Sequence, residues 1–234
     1  MKKLVIAPHP DDEILGCGGY LLKSKTNGDL ISWLIITGLH EKDGWPIKKI
    51  KSRKEEIDKV RKKLNISQKN LYNLNLPTTK LDQYPISKLI QLISEVFESF
   101  QPEEVLLPHP GDVHSDHRIV FEASLSSTKW FRYPFIKRIL TYETISETDF
   151  GADPRYLAFK PNIFVDISDQ LKDKLDIIQI YGSEVGSFPF PRSIESISSQ
   201  AKVRGSQAGF KAAEAFCLIK EILNWCMFNN FSNN

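Results

Sequence analysis

A chain of 234 residues, 41% apolar and 26% charged, is long enough to bury one full core and has the balance of a soluble globular domain. A net charge of +2 leaves no electrostatic footprint for nucleic acid, three scattered cysteines give no disulfide framework, and no apolar run approaches the roughly 20 residues of a membrane span. The expectation is one α/β domain with reduced thiols, soluble and cytoplasmic, with Met1-Lys2-Lys3 running straight into the first strand and no signal peptide before it.

Leu4-Val5-Ile6-Ala7 predicts a buried strand, and the apolar, small-residue stretch 14–22 predicts a packed helix. Between them stands His9-Pro10-Asp11-Asp12-Glu13. Folding gains nothing from gathering an imidazole and three carboxylates behind the first core strand. In open α/β sheets that strand end is where ligands bind, so the stretch reads as a metal site. The plain alternative is an acidic N-cap for the helix, with Glu13 as a helix N-terminal acid.

Residues 30–36 predict a second strand, ended by Thr37-Gly38-Leu39-His40 and followed by a loop at 41–46. His40 is either a site residue or a solvated loop histidine. Residues 48–64 predict a helix whose apolar stripe is Ile50, Ile57, Val60 and Leu64. Its basic run is interrupted by Glu55, Glu56 and Asp58 and lacks interleaved aromatics, so it reads as a solvated face. Residues 71–76 predict a third strand, and 86–100 a helix with Leu89, Ile93, Val96 and Phe100 in register, stopped by Gln101-Pro102.

Residues 105–107 predict a fourth strand, which leads into His109-Pro110-Gly111-Asp112-Val113-His114-Ser115-Asp116-His117-Arg118. Four of the five histidines therefore lie just after two strands. His114 and His117, three apart at a helix start, share a face. Two strand ends that each deliver imidazole and carboxylate predict one hydrolytic metal site. The following helix is expected to end near Ser126 or Thr128, with a fifth strand at 138–143. This alternation predicts a Rossmann-like, mostly parallel, doubly wound sheet with helices on both faces.

The long segment 144–161, carrying Gly151, Pro154 and Pro161, reads as a binding loop. Residues 162–167 predict a late edge strand, and Ser168 is expected to cap a helix over 169–181. The loop at 182–191, rich in Gly, Ser, Phe and Pro, is a wall or lid over the site, or else a surface connection. Terminal helices are expected at 193–203 and 207–228. The second has a packing face of Ala208, Ala212, Ala215, Phe216, Ile219 and Leu223, with Glu214 as an arginine partner. A polar tail follows at 229–234, and with no repeat or linker the domain is expected to span 1–228.

The two motifs resemble those of the LmbE-like (PIG-L) deacetylase family, whose fingerprint is His-Pro-Asp-Asp after the first strand and a later His-x-Asp-His. Here they stand as His9-Pro10-Asp11-Asp12 and His114-Ser115-Asp116-His117. Softer similarities at Arg53-x-x-Glu56, Pro189-Phe190-Pro191-Arg192-Ser193 and Arg204-Gly205 to Phe216 extend the resemblance over nearly the whole chain. It implies a zinc-dependent enzyme that removes the acetyl group from an N-acetylated amino sugar conjugate of the N-acetylglucosamine type. His9, Asp12 and His117 are then the metal ligands and Asp11 the general base. His114 polarises the tetrahedral intermediate, with Asp116 beside it among the catalytic groups. Arg53 is the first candidate for the sugar, and Arg192 and Arg204 for a more distant phosphate or carboxylate. The resemblance leaves a homo-oligomer open.

Two imidazoles and a carboxylate suit catalytic zinc, which keeps one position for water. They also suit ferrous iron, so Zn²⁺ is expected and another divalent ion stays open. A helix N-terminus and a dication both oppose a charged His114, so Asp112 or Asp116 is expected to offset them. His109 lines the pocket or packs beneath it. Phe190 stands where many relatives have His, a difference that bears on substrate. Three alternatives remain: a metal-dependent amidase on another small amide, a catalytically dead metal-binding protein, and a non-catalytic nucleotide-sugar-binding Rossmann module. Gly16-Cys17-Gly18-Gly19 hints at the last, but no Gly-x-Gly-x-x-Gly follows the first strand and Asp11-Asp12 fill the turn.

Overall fold

The computed structural model describes residues 1–152 and 158–223. Cys226, positions 224–228 of the expected last helix and the tail at 229–234 lie outside the described residues. The chain order is β1 (Lys2–Ala7), α1 (Asp12–Thr26), β2 (Leu30–Gly38), α2 (Ile47–Lys63), β3 (Leu71–Pro77), α3 (Ile86–Phe100) and β4 (Glu104–Pro108). Then come α4 (Ser115–Ser126), β5 (Arg138–Tyr142), β6 (Ile163–Asp166), α5 (Leu171–Ile178), α6 (Ile194–Ser206) and β7 (Ala213–Glu221).

The seven strands form one sheet in the order β3-β2-β1-β4-β5-β7-β6. The first five in sequence pair in parallel, and β7 runs antiparallel between β5 and β6. Alternation along the strands divides the core. Val5, Ala7, Trp33 and Ile35 face α1, α2 and α5, while Leu4, Ile6, Leu34 and Ile36 face α3 and α4. Helices thus cover both faces, as the alternation of elements predicts. The order reverses direction between β1 and β4, which lie side by side with Leu4 opposite Val105. The carboxyl ends of these two strands carry the two His/Asp motifs, which places them at the switch point of a doubly wound sheet.

One predicted element is wrong. The helix expected over 207–228 is the strand β7 from Ala213 to Glu221. A short apolar run fits helix or strand alike, and here the free edge of β5 decides the matter. Glu214 is correspondingly a lysine partner: its Oε1 accepts from Lys174 Nζ at 2.7 Å. The same carboxylate accepts the N–H groups of Gly19 and Tyr20 at 2.8 and 2.7 Å. Those groups follow a break in α1, where Cys17 leaves helical geometry (φ −145°, ψ 19°). The glycines of this stretch serve packing, since a Cβ at Gly16 would stand 2.2 Å from the Tyr142 ring. Residue α5 position one is Leu171, preceded by Gln170 as N-cap, so Ser168 does not cap it; its hydroxyl donates to Asp166.

Candidate active site

Asp11 and Asp12 leave β1 through a tight turn. Asp11 has φ 135°, a left-handed conformation that strains a non-glycine residue by about 1–3 kcal/mol. The turn aims Asp12 inward: its Oδ2 accepts the His9 N–H at 2.8 Å. From the neighbouring strand, His117 enters on the first turn of α4. His9 Nδ1, Asp12 Oδ2 and His117 Nε2 then form a near-equilateral triangle with sides of 3.4, 3.3 and 3.3 Å. Ligands of a tetrahedral zinc with bonds of about 2.0–2.1 Å stand about 3.3–3.4 Å apart. Asp12 Oδ1 is buried and accepts no hydrogen bond from the described residues. Both observations fit a cation held by this set.

The far nitrogen of each imidazole is held by a carboxylate. Asp112 Oδ2 lies 2.8 Å from His117 Nδ1, and Thr148 Oγ1 donates to Asp112 Oδ1 at 2.6 Å. Asp116 Oδ2 lies 3.1 Å from His9 Nε2 and also accepts the Thr79 N–H at 2.8 Å. Such partners orient ligating histidines and set their tautomers. Asp116, expected among the catalytic groups, is therefore behind His9; it is fully buried and does not line the cavity.

His114 is the N-cap of α4, and its Nδ1 accepts the Asp116 N–H at 3.1 Å. With Nδ1 an acceptor, the proton of the neutral ring sits on Nε2. Burial, then the neighbouring His9 and His117, pull its pKa down to about 4. Asp116 does favour a charged His114, as expected, but burial and the two neighbouring histidines outweigh it, so the ring is neutral near pH 7.

The remaining groups are pushed apart. Burial opposes charge on His9, yet hydrogen bonds to Asp116 and Asp12 hold its pKa up at about 9. Burial likewise opposes charge on His117, and Asp12 with Asp112 holds it at about 10. Burial works against the Asp12 carboxylate too, but the two imidazoles keep it well below the usual carboxylate range. Asp11 goes the other way: burial and the charge of Asp12 push it up to about 7, against the pull of Arg192. Glu13, expected as a helix N-terminal acid, is fully buried and raised to about 8 by that burial. It accepts the Asp11 N–H at 3.0 Å and the Tyr181 hydroxyl at 2.9 Å.

A cavity of about 270 Å³ opens onto this cluster and is lined by His9, Asp11 and His114. Its lining combines apolar Leu39, Trp45 and Ile50 with the amides of Asn73 and Asn75. Gly38 also lines it, and a Cβ there would push the Asn75 side chain aside, its Oδ1 being 2.0 Å away. Arg53 lines the cavity too, but its guanidinium donates to Pro10 O at 2.8 Å and to Glu184, and pairs with Glu56 at 3.0 Å. Arg192 reaches the site and binds Asp11 Oδ2 at 2.8 Å. Arg204 does not reach it: it forks onto Glu143 at 2.8 and 2.6 Å, outside the cavity lining.

His40 Nε2 lies 2.9 Å from Asn75 O and is not among the cavity-lining residues. His109 is buried edge-on against Phe159, and Phe190 is 45% exposed and not among the cavity-lining residues. Glu184 of the loop at 182–191 and Glu147 of the 144–161 segment line the cavity, while positions 153–157 of that segment, Pro154 included, lie outside the described residues. Glu184, Glu147, Ser146 and Thr148 had no motif to announce them. Only the Gly/Pro content of their loops pointed toward a site.

Residues 4–127 match the family model described as GlcNAc-PI de-N-acetylase. The chain is similar to the diacetylchitobiose deacetylase of Thermococcus kodakarensis, with 27% identity over 97% of this chain and 86% of that one. Among solved structures, the N,N'-diacetylchitobiose deacetylase of Pyrococcus horikoshii superposes with a TM-score of 0.75 and 22% identity, over 94% of this chain and 84% of that one. GalB, the 4-carboxy-2-hydroxymuconate hydratase of Pseudomonas putida, gives a TM-score of 0.70 at 17% identity, over 96% and 99%. One fold thus carries both a deacetylase and a hydratase, so the reaction must be argued from the site. Among the described residues, no helix is long and apolar enough to cross a membrane.

Proposed function

Because the chain belongs to the GlcNAc-PI de-N-acetylase (PIG-L) family, we propose that it is a zinc-dependent hydrolase that removes the acetyl group from an N-acetylglucosamine-type conjugate. The observation that carries this reading is the triangle of His9, Asp12 and His117, with sides fit for tetrahedral zinc, beside a carboxylate raised toward neutrality. When bound, a zinc ion supplies a water of lowered pKa and polarises the acetamide carbonyl.

Asp11 accepts the proton of the attacking water. Burial and Asp12 hold this carboxyl up at about 7 in the metal-free protein, and a bound dication would draw it down toward the ionised form a base needs. The same carboxyl, once protonated, returns the proton to the departing amine. His114, neutral with its proton on Nε2, donates a hydrogen bond to the oxygen that becomes negative in the tetrahedral intermediate. This assignment removes the objection to a charged imidazole at a helix N-terminus. Asp112 and Asp116 hold the ligand histidines in place. The cavity lining combines apolar Leu39, Trp45 and Ile50 with the amides of Asn73 and Asn75, a mixture that suits a sugar ring with an apolar face and hydroxyl edges.

The test is acetate release from a panel of N-acetylglucosamine conjugates by zinc-loaded protein, with the chelated protein as control. Release that needs metal and follows the sugar supports the reading. Turnover of simple acetamides in preference to every sugar would shift it to a general amidase.

A further inference from the structure

We propose that Arg192 is a positioning residue for Asp11, and not a contact for the distal part of the substrate. The inference rests on the reading of Asp11 as general base. The strained Asp11 backbone is fixed from one side, where its N–H donates to Glu13 and Glu13 is braced by Tyr181. Its carboxylate is fixed from the other side by Arg192 Nη1, 2.8 Å from Oδ2.

Arg192 is itself immobilised. Its Nε donates to Ser146 Oγ at 2.8 Å and its Nη2 to Glu147 Oε1 at 3.0 Å. Glu184 Oε2 stands 3.9 Å from Nη1. Each nitrogen of the guanidinium thus faces a protein oxygen. One N–H on each nitrogen is committed to a protein oxygen, which fixes the plane of the guanidinium and its line to Asp11 even though Arg192 lines the cavity. No hydrogen bond from the described residues reaches Asp11 Oδ1. Arg192 therefore selects which oxygen is tied and which is left to meet the water. The strut joins the loop after β5 to the segment before α6, so the base is aimed by two loops outside both sequence motifs.

The test uses zinc-loaded Arg192→Ala, Arg192→Lys, Ser146→Ala and Asp11→Asn with a conjugate that the wild type turns over. A base left free to rotate is a misplacement of about an ångström, which costs up to roughly 10²-fold. Arg192→Ala should lower kcat by about 10- to 10²-fold with KM and metal content unchanged. Arg192→Lys should recover part of the loss, and guanidinium added far below denaturing concentration should recover part of it in Arg192→Ala. Ser146→Ala, which leaves no charge unpaired, should show a smaller drop with the same split.

A raised KM with kcat intact in Arg192→Ala would overturn the proposal and return Arg192 to the substrate. Asp11→Asn with full kcat would instead overturn the assignment of the base, whatever the arginine variants do. Crystal structures read the same question without turnover. Asp11 should change rotamer when Arg192 is removed, and an unmoved Asp11 side chain would sink the idea.

Discussion

Asp11 and Asp12 are adjacent in the chain and opposite in environment. Two imidazoles surround Asp12 and keep it ionised, whereas burial and then the charge of Asp12 push Asp11 toward neutrality. Asp12→Asn should therefore lose the metal. Asp11→Asn should keep it and lose kcat by about 10²- to 10⁴-fold, the worth of a positioned general base. Elemental analysis with acetate release separates the two, and exchanged outcomes would reverse the assignment. Asp116→Asn removes the carboxylate behind His9, and metal affinity should fall by roughly 10- to 100-fold, as it does for outer partners of ligands. A competition titration with a zinc chelator reads this; unchanged affinity would return Asp116 to the chemistry of the cavity. The meeting of the two motifs was legible because each follows one of two strands that lie side by side in parallel, which brings His9, Asp12 and His117 to one sheet edge. The arginines were not, because sequence displays a charge without its partner. Arg204 is spent on Glu143, and Arg53 on Glu184, Glu56 and Pro10.

At the scale of elements, the parallel half of the sheet was readable from apolar runs alternating with helical stripes. The last strand was not, because Ala213 to Glu221 mixes small, aromatic and aliphatic residues in a run that either structure accepts. Its placement depends on partners more than 50 residues away in sequence, since Ala215 pairs with Phe164 and Phe216 with Tyr142. The strand carries Glu214 to the break in α1, and Lys174 from α5 balances it. Both side chains are almost fully buried. Lys174→Ala leaves that carboxylate without its cation and should cost about 3–5 kcal/mol, with metal content unchanged. Denaturant unfolding measures it. A loss below about 1 kcal/mol would mean that the two backbone N–H groups alone satisfy Glu214.

For the whole molecule, the sheet brings two distant segments to one point and burial then loads that point with protons. His9 and His117 have folded pKa values of about 9 and 10 in the metal-free protein, against 6.5 for a free imidazole. A base with a raised folded pKa contributes stability that is fully present below about pH 6.5 and is lost as pH rises through 9 and 10. Zinc needs both nitrogens unprotonated, so its binding at pH 7.5 should release about two protons. Calorimetry in buffers of different ionisation enthalpy counts them. The same linkage fixes the sign of a thermal experiment. Between pH 6.5 and 10 the metal-free protein weakens, while zinc competes with fewer protons and stabilises more. The gap in Tm between zinc-loaded and metal-free protein, at fixed free zinc, should therefore widen across that interval. Asp11 and Glu13, raised to about 7 and 8, also lose stability as they ionise. Glu13 touches no ligand atom of the triangle and largely cancels from the difference. His117→Ala should flatten the gap. A gap that stays constant with pH in the wild type would mean that the two imidazoles are not the groups zinc displaces protons from.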